Sequence, residues 1–198
     1  MGVALRALNV PRHHFVLSTK LFWGSKTIPT MRGLSRKHVI EGMKNSLKRL
    51  DYDYVDVVFC HRFEGETPME EICRAFDWVI RKGWAFYWGT SEWTHDQIAE
   101  ANLVCDKYNL IKPIAEQCQY NLFTRDNMEV KYRRLFQDKK LGTTVWSPLA
   151  SGVLTGKYNN GIPEGSRFDK NQDLIGILNR YFAEDKKEAT VATLNQFS

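Results

Sequence analysis

An α/β fold built on a parallel sheet is predicted by three observations. Between Phe15 and Trp146, short β-branched or aromatic runs alternate with amphipathic segments of helical spacing. The connections between them are short, as in successive βαβ units. Tyr54 to Phe59 is an almost unbroken apolar run, the pattern of a strand covered on both faces. Five strands can be read and no sixth. Five units do not close a (β/α)8 barrel, which usually needs about 250 residues. An incomplete barrel and an open five-stranded sheet are the two architectures left.

Each element has its own local signal. Met1 to Leu8 is weakly helical, and Pro11 stops it. Phe15 to Leu21 is the first strand, followed by a loop that Gly24, Pro29 and Gly33 break. Ser35 suits the N-cap of a helix reaching Leu50, with Val39, Met43, Leu47 and Leu50 at helical spacing. Tyr54 to Phe59 is the second strand. Thr67 as cap and Pro68 as first residue open a helix carrying Ile72, Phe76, Val79 and Ile80, which ends at Gly83. Ala85 to Gly89 is a strand, and Thr94 caps a helix running to Tyr108. Ile114 to Tyr120 is a strand, Val130 to Lys140 a helix, and Thr143 to Trp146 the last strand, read from Leu141 onward as buried. The tail from Asn171 to Ser198 is polar and helix-like.

Composition narrows the function classes. The 198 residues, 43% hydrophobic and 26% charged, are those of a soluble globular domain. No apolar run approaches the roughly 18 residues of a membrane span. The net charge of +5 is modest, and acidic residues interleave with basic ones after Glu41, which reads as a solvated surface and not a nucleic-acid patch. Cys60, Cys73, Cys105 and Cys118 form no CxxC pair. They read as reduced thiols of a cytosolic protein, not a zinc site or a disulfide set. The first forty residues lack Asp and Glu, as transit peptides do. The strand pattern from Phe15 argues that they are folded domain instead. Met1-Gly2 would invite myristoylation, but Arg6 stands where Ser or Thr is wanted.

The chemistry concentrates after the last strand. Ser147-Pro148 turns the chain sharply, and Ala150-Ser151-Gly152 and Thr155-Gly156-Lys157 follow. Residues this small let backbone N–H groups approach an anion, and Lys157 adds a positive charge. An ordinary tight turn would use the same residues. The segment Trp146-Ser-Pro-Leu-Ala-Ser-Gly-Val-Leu-Thr-Gly-Lys-Tyr158 resembles the cofactor-binding loop of the aldo-keto reductases. It is most similar to the branch that contains the voltage-gated potassium channel beta subunits. Ser18-Thr-Lys-Leu-Phe-Trp-Gly24, Arg32-Gly-Leu-Ser-Arg-Lys-His38, Tyr54-Val-Asp-Val-Val-Phe59 and Tyr87-Trp-Gly-Thr-Ser91 match in the same order. The likeness runs from Phe15 to Arg167 and thins out afterwards.

That resemblance implies a (β/α)8 TIM barrel, incomplete, with about five βα units present. Residues 1–198 would form a partial aldo-keto reductase domain, with two strands expected before Phe15 and one after the tail. It also implies hydride transfer from NADPH to an aldehyde or ketone, by a tetrad of Asp, Tyr, Lys and His. Lys20 matches the lysine and His61 the histidine, each directly at or after a strand end. The Asp and Tyr have no counterpart in this sequence, so the chain alone is expected to be inactive. With unpaired sheet edges it is also expected to self-associate. Ser91 and Gln117 would hold the nicotinamide carboxamide. Trp146, Ser147, Pro148, Leu149, Ala150 and Ser151 would line the pyrophosphate path, and Lys157 and Arg167 would meet phosphates. Tyr87 offers a ring to the nicotinamide, whereas Trp23, Trp88 and Trp93 read as packing around strand ends. Glu92 stands where the channel branch has Arg, and that contact is not carried over. The preference for NADP over NAD comes from the resemblance alone, because the loop gripping the 2′-phosphate would lie beyond Ser198. A different function class is implied by the same branch: a cytoplasmic, homotetrameric subunit that binds NADPH and a potassium channel. That branch commonly carries Asn where this chain has His61, so His61 leans toward a reductase.

Overall fold

The computed structural model describes residues 1–183 and 186–196. Its strands form one five-stranded sheet in the order β1-β2-β3-β4-β5, where β1 is Ser18–Leu21, β2 Val55–Cys60, β3 Ala85–Ser91, β4 Ala115–Gln119 and β5 Gly142–Trp146. The pairs from β1 to β4 are parallel. Helices alternate with them: α1 (Gly2–Ala7), α2 (Arg36–Leu50), α3 (Met69–Arg81), α4 (His95–Tyr108) and α5 (Arg133–Lys139). Sequential neighbours joined by helical crossovers are the βα pattern of a barrel, and five such units are present.

The caps fall where local chemistry places them. Ser35 Oγ accepts the His38 amide at 3.3 Å, and Thr94 with Gln97 forms a reciprocal capping box. Thr67 is not the cap of α3. Its hydroxyl donates to Glu64 at 2.6 Å, and Pro68 takes the N-cap position. The first strand is shorter than Phe15 to Leu21 because Asp56 captures the chain before it. One Asp56 carboxylate oxygen accepts both the Leu17 amide and the Arg12 guanidinium at 2.6 Å. Strand β3 is longer than expected and extends through Ser91. The helix expected over Val130 to Lys140 divides into a π-helical turn, Asn127–Lys131, and α5. Between them Tyr132 is buried and donates its hydroxyl to the Trp93 carbonyl at 2.5 Å.

The last strand is the clearest correction. All five residues of β5 are exposed, and of the run from Leu141 only Leu141 is buried. Strand β5 is the edge of the sheet, so among the described residues one of its sides has no neighbouring strand.

The chain divides into two compact units. The first comprises Met1–Cys118 and Glu129–Thr144. Its core is made by Val39 and Met43 of α2, Ile72, Phe76 and Val79 of α3, and Ile98 and Ala101 of α4, all fully buried. Trp88 of β3 stacks on Phe76 with ring centroids 5.1 Å apart. All four cysteines are buried and free. The second unit comprises Gln119–Met128 and Val145–Ser198. Ala150, Val153, Tyr158, Phe168, Leu178 and Leu194 cluster at its centre. The tail is helical, as α6 (Arg167–Lys170), α7 (Ile175–Phe182) and α8 (Lys187–Asn195). Residues 184–185 and 197–198 of that predicted tail lie outside the described residues. No helix among the described residues is long and apolar enough to cross a membrane.

Candidate active site

Parallel strands present all their C-terminal ends on one side, which is where barrel chemistry resides. In the first unit this edge gathers Lys20, His61, Ser91 and Gln117. Register fixes the arrangement: Lys20 pairs with Phe59, which pairs with Gly89, and Ser91 pairs with Gln117. Because side chains alternate along a strand, Lys20, Phe59 and Ser91 share one face of the sheet. Tyr87 is on that same face and is half exposed. His61 follows β2 directly, and its amide donates to the Leu21 carbonyl at 3.0 Å.

Two of these groups have displaced proton affinities. Burial, then the Arg62 charge, lowers the Lys20 ammonium from its usual range. Burial, then Arg62 and Lys20, lowers the His61 imidazole, which favours its neutral form near pH 7. The Trp23 ring stands edge-on to His61 at 6.2 Å. Trp23 is 58% exposed and so is not packed away as expected, whereas Trp88 and Trp93 are fully buried.

Two residues outside the sequence-derived set organise this edge. Arg62 donates to the His61 carbonyl at 2.5 Å and reaches Ser91 Oγ at 3.4 Å, above a serine that is itself buried. Glu116 of β4 is fully buried. It accepts the Thr90 hydroxyl at 2.5 Å and the Glu92 amide at 2.6 Å. That grip fixes the turn after Ser91, where Glu92 takes a left-handed conformation with φ 58°. Burial pushes the Glu116 carboxyl up to about 7. Gln117 Nε2 donates to Thr144 Oγ1 at 2.8 Å, which fixes the orientation of its amide. A hydroxyl and an amide oxygen at neighbouring strand ends suit a carboxamide.

The second unit holds the loop. Ser147, Ala150 and Ser151 have φ of 53°, 47° and 59°, and Gly152 has 98°. The Ser151 amide donates to Ser147 Oγ at 2.9 Å, and the Ala150 and Gly152 amides to the Ser147 and Leu149 carbonyls. These three amides hold the turn and are not available to an anion. Ala150 lies in the core, while Trp146, Pro148 and Leu149 are exposed. A Cβ on Gly152 would come within 3.3 Å of Lys157 Nζ, so the glycine makes room for the lysine. Arg167 opens α6 and is exposed. The Tyr158 and Ser166 hydroxyls are buried without a partner among the described residues. Two serine hydroxyls, a lysine and an arginine are donors of the kind that suit phosphate oxygens.

No group of three or more acidic, His or Cys side chains fit for a metal occurs among the described residues. The profile of the Aldo/keto reductase family matches residues 1–195. The chain is 53% identical to an Arabidopsis thaliana protein over 186 residues, covering 93% of this chain and 56% of the relative. A rice protein, from Oryza sativa subsp. japonica, matches with the same identity and coverage. Both are named as probable voltage-gated potassium channel beta subunits. A Schizosaccharomyces pombe protein, named as a putative beta subunit of the same kind, is 54% identical over 168 residues, 84% of this chain and 49% of that protein. This chain thus spans about half the length of the curated relatives it matches. With a family profile matching nearly all of its residues, the chain belongs to the aldo/keto reductase family.

Proposed function

We propose that this chain supplies the strand-end chemistry and the phosphate loop of a cytoplasmic NADPH-dependent reductase acting on aldehydes or ketones. The observation that carries this reading is the adjacency of Lys20 and His61 on neighbouring parallel strands. NADPH, when bound, supplies the hydride. A neutral His61 ring N–H donates a hydrogen bond to the substrate carbonyl oxygen and polarises it. The Lys20 charge stands beside the same oxygen and lowers the cost of a neighbouring phenol giving up its proton. The family resemblance assigns that phenol and its partner Asp to no residue of this sequence. Ser91 and Gln117 orient the carboxamide, and the Ser147 and Ser151 hydroxyls with Lys157 and Arg167 hold the phosphates. The whole chain is read as part of one such oxidoreductase domain. Titrating the full polypeptide with NADPH while following tryptophan fluorescence tests the reading. Saturable quenching supports it, and its absence refutes it.

The names of the relatives favour a second reading, a beta subunit of a voltage-gated potassium channel, in which bound NADPH would serve regulation. Size-exclusion chromatography with a channel's cytoplasmic domain tests it: a tetrameric complex supports this role, and independent elution refutes it.

A further inference from the structure

Half-buried guanidinium groups are seldom left without an acid, because removing the charge from water costs several kcal/mol unless it is paired. Arg12 follows that rule and sits 2.6 Å from the Asp56 carboxylate. Arg62 does not. It is half-buried at the C-terminal edge of the sheet, and no ion pair includes it among the described residues. Its hydrogen bonds are to two neutral oxygens, the His61 carbonyl and Ser91 Oγ, and both are made by Nη1. The guanidinium has five N–H donors in a planar fork, and among the described residues its Nη2 side makes no hydrogen bond. The nearest acid in sequence, Glu64, is already engaged by the Leu34 amide and the Thr67 hydroxyl at 2.6 Å each. Glu116 is committed beneath the sheet edge to Thr90 and Glu92. Lys20 adds a second cation on the same edge, close enough to Arg62 that the Arg62 charge disfavours protonation of both Lys20 and His61. Lys20 and Arg62 are thus two neighbouring cations on an edge that also carries Glu92, and Arg62 offers a fork shaped for a planar anion.

We propose that Arg62 is a specificity-determining residue that binds the carboxylate of the substrate, so that the preferred carbonyl compounds are oxo-acids and semialdehydes. This rests on the reductase reading for the identity of the reacting group. The anion preference itself depends only on Arg62.

The test uses the full polypeptide and two probes of similar shape, 4-carboxybenzaldehyde and its uncharged methyl ester, with affinities measured by ligand-observed NMR. The carboxylate probe is expected to bind about tenfold tighter or more, the scale of one charge-assisted hydrogen-bond pair. Arg62→Gln should remove that preference, and Arg62→Lys should keep part of it. Should either variant fail to fold, the wild-type protein still decides: its preference should shrink as salt rises from about 0.05 to about 0.5 M, because the screening length falls severalfold over that range. Equal binding of both probes, no binding of either, or a preference that survives Arg62→Gln would overturn the proposal. A parallel NADPH titration separates the two ideas. An Arg62-dependent preference without NADPH binding would refute the reductase reading and leave the carboxylate site standing.

Discussion

The two units support their candidate site residues by different means. In the first, Lys20, His61, Ser91 and Gln117 stand where they do because parallel strands are held in register by a continuous helix-packed core. In the second, Ser147, Ser151 and Lys157 stand where they do because a short segment adopts left-handed turns around a cluster of six buried residues. A site carried on a sheet is buffered by many contacts. One carried on consecutive left-handed residues depends on a few backbone angles. Substitutions should therefore act through packing in the first unit and through backbone conformation in the second.

The largest effect should come from the core of the first unit. Trp88→Ala removes a fully buried ring stacked on Phe76 and a 2.7 Å hydrogen bond to the Ile111 carbonyl. It should cost about 3–5 kcal/mol in urea unfolding. A loss below about 1 kcal/mol would mean that the sheet is not packed as described.

Next comes the buried carboxyl. With the Glu116 carboxyl raised from 4.5 to about 7, the native state keeps a proton that the unfolded chain has already released in that window. Stability should then decline as pH rises from 4.5 to about 7, by an amount of order 3 kcal/mol. Glu116→Gln has no such proton, so the difference between wild type and variant should change across that range. An equal stability difference between the two proteins at about pH 5 and about pH 8 would contradict the assignment.

In the second unit, Gly152→Ala forces a side chain into a φ of 98° and against Lys157. It should cost about 1–3 kcal/mol and weaken NADPH binding with little change at the strand ends. Thr94→Ala should be the smallest, about 1 kcal/mol, because it removes one half of the α4 capping box. Chemical-shift mapping would show whether each change stays within its own unit.

Much of the fold is legible because its signals are local. Ser35 and Thr94 cap helices through bonds that span three residues, and the alternation of strand and helix is written in periodicity. The misreadings have tertiary causes. Thr67 has the chemistry of a cap, but Glu64 reaches its hydroxyl first. Phe15 to Leu17 has strand-like residues, yet Asp56 binds that segment from the next strand. The β-branched and aromatic character of Thr143 to Trp146 does not make β5 buried, since burial depends on what lies beside a strand, and β5 is an edge. At the site, Lys20 and His61 are legible from their place at strand ends. Arg62 and Glu116 are not, because their roles arise only when Ser91 and Glu92 are brought across from the neighbouring strand.

The proposed function divides the labour, with chemistry at the strand ends and cofactor grip in the loop. The most direct test compares Lys20→Met and Lys157→Met in the full polypeptide, measuring both the NADPH dissociation constant and carbonyl turnover. Lys20→Met should abolish most turnover while leaving the dissociation constant within about threefold of wild type. Lys157→Met should weaken NADPH binding by about tenfold while saturating NADPH restores turnover. Equal loss of binding and turnover in Lys20→Met would refute that division of labour.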